Sequence, residues 1–119
     1  MTKLLYLFAF ISLSFNTITA QDQNLIPFGS TWKYLDDGSN QNNGWIYSSY
    51  NDGTWASDPA EFGYGDGDEN TVISFGGNSR NKHITSYFRH TLNIADVSVY
   101  SNFLLKLKKD DAAIVYVNG

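Results

Sequence analysis

The sequence contains no cysteine. A disulfide scaffold is thereby excluded, and a domain working outside the cell must be held by its core or by a bound ion. Basic residues are scarce: 8 Lys and Arg stand against 12 Asp and Glu, a formal net charge of −4. Nucleic-acid phosphates need a basic patch, so nucleic acid is not an expected partner. No basic amphipathic helix offers itself to a membrane surface, and no Asn-x-Ser/Thr triplet gives a site for N-glycosylation. The apolar run from Leu4 to Phe15 is too short to cross a bilayer, which takes about 20 apolar residues.

That short run has another meaning. Lys3 precedes it, and a polar stretch ending Thr19-Ala20-Gln21 follows it. A charged start, an apolar middle and a small residue at the cut make a secretory signal peptide over residues 1–20, cleaved near Ala20. Residues 21–119 then form one small domain of a secreted or cell-surface protein, with no membrane segment left after cleavage. Lys3 is the only charge removed, so the mature part keeps 7 basic and 12 acidic side chains, a net −5.

The mature part reads as all-β, an antiparallel sandwich. Aromatic, β-branched and glycine residues abound, and no 3.6-residue period persists. "STWKYLDD" at 30–37 is a short strand entering a turn, and "DGSNQNNGW" at 37–45 is a loop. "NDGTW" at 51–55 is an Asp-Gly turn that delivers Trp55. "ITSYFRHTLNI" at 84–94 alternates, with Ile84, Phe88, Leu92 and Ile94 on one face and Thr85, Arg89, Thr91 and Asn93 on the other. "NFLLKLKK" at 102–109 puts Phe103, Leu105 and Leu107 inward, and "AAIVYVNG" at 112–119 is apolar on both faces. Trp32, Trp55, Phe88, Leu105 and Val115 are the expected core. Asn118-Gly119 after an apolar strand signals a hairpin, so a returning strand is expected beyond it and the sandwich is expected to lack its last strands here.

The order of these pieces resembles a known family. Asp52 and Trp55 in the turn, Tyr87-Phe88-Arg89 in the next strand, and Asp110-Asp111-Ala112-Ala113 running to Val115-Tyr116, Asn118 and Gly119 resemble the galactose-binding-domain-like jelly-roll. Leu92 stands where that family carries an aromatic residue. The run from "IPFGSTWKYLDDGSNQ" to "ASDPAEFGYGDGDE" is more closely similar to a subfamily in exported multidomain proteins of the Bacteroidetes type. Such modules accompany glycoside hydrolases, phosphoesterases and adhesive domains. The resemblance implies a jelly-roll and leaves the biochemical task open.

"EFGYGDGDENT" at 61–71 asks the sharpest chemical question. Asp66, Asp68 and Glu69 offer hard oxygens to a structural Ca²⁺, which takes six to eight such ligands and would need a further carboxylate such as Asp36 or Asp110. The alternative is a turn in which Gly63, Gly65 and Gly67 supply positive φ and the acids are solvated. An acidic loop without a lysine or a helix start does not cradle phosphate.

For a carbohydrate ligand, Trp45 behind its Gly/Asn loop, Tyr64, Arg89 and Asp111 are the candidates. An aromatic plane suits the apolar face of a pyranose. The competing role for Arg89 is a brace to a loop acid such as Asp66 or Asp111. Adjacent Asp110 and Asp111 point to opposite faces of a strand, so they do not flank one glycosidic bond as a catalytic pair. His83 and His90, seven apart on one strand, also face opposite ways, which disfavours a shared zinc site. No nucleophile-elbow sequence is present. Three functions follow: a non-catalytic exported module that binds carbohydrate or acts as a spacer, an accessory domain ahead of a secreted hydrolase, or a structural and adhesive module with no small ligand.

Overall fold

The computed structural model describes residues 22–119, so the expected signal peptide lies outside the described residues. Five short strands occur in chain order: β1 (Thr31–Leu35), β2 (Ala56–Pro59), β3 (Phe62–Gly63), β4 (Thr71–Val72) and β5 (Tyr87–Arg89). Two 3-10 turns, Gly44–Ile46 and Val97–Val99, are the only helical segments among the described residues. The all-β reading therefore holds, and no described helix is long and apolar enough to cross a membrane.

The main sheet is antiparallel with β1 in the centre, in the order β2-β1-β5. Trp32 lies opposite Asp58, Lys33 opposite Ser57 and Arg89, and Tyr34 opposite Ala56 and Phe88. Period two then sorts the side chains onto two faces. On one face Tyr34 and Phe88 both pack against Phe62, with ring centroids 5.2 and 5.0 Å apart. Trp32 stacks at 4.8 Å on His90, whose Nδ1 lies 3.0 Å from the Thr31 carbonyl. On the opposite face Tyr87 packs against Trp45 at 5.1 Å and Trp55 at 6.2 Å, and Tyr50 meets Trp55 edge-on at 5.7 Å. Lys33 Nζ reaches over this face and donates to the Trp55 carbonyl.

The second sheet is a parallel pair, β3 with β4, where an antiparallel arrangement was expected. Its ladder continues through Thr71 N to the Glu61 carbonyl and Ile73 N to the Gly63 carbonyl, both 3.0 Å. Thr71 Oγ1 donates to the Pro59 carbonyl and Asn70 Nδ2 to the Ala60 carbonyl. These side-chain bonds draw the two strands alongside each other with only the 64–70 loop between them. The buried apolar core consists of Trp55, Ile73 and Tyr87.

Three expectations are corrected. Within 84–94 only Tyr87–Arg89 is strand, and Ile84 and Leu92 are exposed. Residues 102–109 and 112–119 carry the strand pattern yet form no strand, because no described strand lies beside them to complete a ladder. Consequently Leu105 and Val115 are exposed, at 64% and 49%, while Trp55 is buried and Trp32 and Phe88 are half-buried.

Candidate functional site

The most organised polar group is the Arg89 guanidinium, on the Trp55 face of β5. Nε donates to Asp52 Oδ2 at 2.9 Å, Nη1 to the Trp45 carbonyl and Nη2 to the Tyr47 carbonyl at 3.2 Å. The cation also lies 5.3 Å from the centre of the Tyr50 ring. A planar fork of fixed donors suits three acceptors spread along the one β1–β2 connection, as a lysine ammonium would not. Arg89 is thus a brace, and its acid is Asp52 rather than Asp66 or Asp111. Asp52 also starts the "NDGTW" turn whose backbone, Trp55 N to Asp52 carbonyl, sets Trp55 into the core.

Arg89 and Trp45 come together, whereas Tyr64 and Asp111 belong elsewhere. Trp45 is half-buried, with its ring against Tyr87 and, at 5.6 Å, Tyr116. The loop around it is stitched by its own side chains. Asp37 Oδ1 accepts from Ser39 N and Oγ, and Asn40 Oδ1 accepts from Asn42 N. Gln41 N donates to Tyr87 Oη, and Tyr50 Oη donates to Gln41 Oε1. The Ser39 hydroxyl bond, followed by the Ser39 amide bond, holds the Asp37 carboxyl below the usual range. Between this loop and β5 lies a depression of about 260 Å³ lined by Gly38, Ser39, Asn40, Ile84, Thr85 and Tyr87.

Tyr64 packs on Phe75, with Lys82 Nζ 4.6 Å above its ring centre. Asp111 is exposed, in a left-handed turn at φ 60°, and its amide donates to Asp110 Oδ1. That turn was expected as the entry to a strand, and here it leads into chain that forms no strand. The histidines are apart as expected: His83 Nδ1 lies 2.8 Å from the Asp36 carbonyl, and His90 sits on Trp32.

The 61–71 loop is organised by Glu69. Its two carboxylate oxygens accept from Asp66 N at 3.3 Å and Gly67 N at 3.0 Å. Gly65 and Gly67 take φ of 113° and 80°, as the turn reading requires. Gly63 does not: it is in β3, and its lack of a Cβ makes room for Glu69 Cγ, which a Cβ there would meet at 2.8 Å. One oxygen each of Asp66, Asp68 and Glu69 lie within 4.8 Å of one another. Three carboxylates supply only part of a Ca²⁺ shell of six to eight oxygens. The two carboxylates expected to complete it are engaged elsewhere, Asp36 with Ser74 N and Asp110 with Asp111 N. No local pattern marks a lysine as this loop's partner, yet Lys108 Nζ lies 2.7 Å from the Glu61 carboxylate and 3.3 Å from Asp68 Oδ2. Hydrogen bonding to Glu61 raises the Lys108 pKa; partial desolvation opposes the shift, and the hydrogen bond and charge of Asp68 add to it. Comparison with known proteins finds no family model, no curated protein and no solved structure that matches this chain.

Proposed function

We propose that this chain is a non-catalytic module of an exported protein, of the galactose-binding-like jelly-roll type, and that the loop from Asp37 to Tyr50 binds carbohydrate. The observation that carries this reading is the Arg89 clasp, which ties the Trp45 and Tyr47 carbonyls to the sheet. A loop fixed in this way needs no ordering when a ligand arrives, which lowers the cost of binding. Its surface carries the chemistry a sugar requires: Ser39, Asn40 and Thr85 line the depression, and Tyr47, elsewhere in the same loop, exposes its ring. The depression is smaller than the about 300–1,000 Å³ of drug-sized pockets, which suits a single sugar unit held on an open surface.

Glycan-array binding of the purified chain tests the reading. Binding should survive removal of Ca²⁺, because the acidic loop lies outside the proposed surface. Tyr47→Ala and Thr85→Ala should weaken it without lowering the melting temperature. Undiminished glycan binding by both variants, or no glycan bound by the wild type, refutes it.

A further inference from the structure

We infer that residues 101–119 form a strap that two copies of this chain exchange, giving a dimer held by Lys108 of each copy in the acidic loop of the other. The strap is attached in an unusual way. No backbone hydrogen bond joins it to either sheet among the described residues. Side chains alone dock it: Lys108 on Glu61 and Asp68, and Tyr116 edge-on against Trp45. Just before it, Tyr100 Oη donates to Gln23 Oε1.

Charge selects the receiving surface. Lys108 is the lysine of the strap that reaches the acidic loop, which carries Glu61, Asp66, Asp68 and Glu69, while Lys109 Nζ turns back to the Asp111 carbonyl. The same surfaces meet whether the strap stays on its own body or crosses to a second one, so exchange preserves every contact. The exchanged form adds something the single chain lacks. Phe103, Leu105, Leu107, Ile114 and Val117 are 53–78% exposed when the strap lies on its own body. Two crossed straps can lie antiparallel, pair their free backbone groups and bury these rows against each other. The chain between β5 and the strap is held to the main body by few bonds, and its Val97–Val99 turn is capped locally by Asp96, which accepts from Ser98 N and Oγ. That segment can therefore redirect the strap without breaking either sheet.

The test is a charge exchange between copies, read by sedimentation velocity with Trp fluorescence as the check of folding. The wild-type chain should show a dimer that grows with concentration and recedes in high salt. Lys108→Glu should lose the dimer, and so should the double variant Glu61→Lys, Asp68→Lys, because each then opposes like charges. An equimolar mixture of the two should recover a one-to-one dimer, since each strap again meets an opposite charge on the other copy. Leu105→Asp with Leu107→Asp, on rows outside both sheets, should abolish the dimer with the ion pairs intact. A wild-type chain monomeric at every concentration, or a mixture that stays monomeric, overturns the proposal and leaves the strap on its own body.

Discussion

Arg89 joins β5 to three points of the β1–β2 connection through one side chain, and its removal is correspondingly costly. Arg89→Ala would leave Asp52 without its cation and two carbonyls without donors. Arg89 and Asp52 keep 14% and 26% of their side-chain surface in water, so the loss is below that of a fully buried pair. We expect destabilisation of about 1–3 kcal/mol in urea unfolding. Arg89→Lys should recover less than half of this, since an ammonium lacks the fork that reaches three acceptors. A lysine variant as stable as wild type would mean that charge alone matters. Asp37 makes a second, pH-dependent case. Its folded pKa is lowered by Ser39, so its contribution to stability is present above the unfolded carboxylate value and is lost as pH falls through the lower folded value. The Asp37 carboxyl resonance should therefore titrate at lower pH than in Ser39→Ala, where it should return towards about 3.9.

At the scale of elements, strength of pattern and legibility do not coincide. β1 was readable because Trp32 and Tyr34 alternate with Thr31, Lys33 and Leu35 and a clear Asp-Gly turn ends the run. The Trp55 turn was readable for the same local reason. The strongest alternation, 102–109, forms no strand here, since alternation reports a capacity to pair and the partner is a non-local fact. Pairing also decided 84–94: Tyr87–Arg89 lies opposite Lys33–Leu35 and becomes strand, while the flanking residues have no opposite number. Of the candidate site, the Gly65 and Gly67 conformations followed from residue type, whereas the Arg89–Asp52 and Lys108–Glu61 pairs span 37 and 47 residues and no local rule fixes them. The 61–71 loop offers a prediction at this scale. Gly65→Val and Gly67→Val place a β-branched residue at positive φ and should each lower stability by about 1–3 kcal/mol. Asp68→Ala removes only exposed contacts and should cost less than about 1 kcal/mol. The reverse order in thermal melts would make Asp68, and not the glycines, the organiser of the loop.

For the molecule as a whole, the question is where its stability resides. The buried core is Trp55, Ile73 and Tyr87, and no described side chain is less than 2% exposed. No disulfide compensates. A domain of this size has about 5–15 kcal/mol to lose, and a thin core places it near the lower end. Trp55 contacts Tyr50 and Tyr87 and carries the carbonyl that Lys33 reaches, so it joins the loop, β1 and β5. Trp55→Ala should cost about 3–5 kcal/mol, enough to remove the cooperative thermal transition. Residues 101–119 should behave oppositely. They hold the body through exposed side chains, and a surface ion pair such as Lys108 with Glu61 contributes at most about 1 kcal/mol. At concentrations where the chain is monomeric, truncation after Tyr100 should therefore shift the melting temperature by only a few degrees, while raising solubility by removing exposed apolar side chains. If truncation instead abolished the transition while Trp55→Ala left it intact, the centre of stability would lie in the strap and not in the β2-β1-β5 sheet.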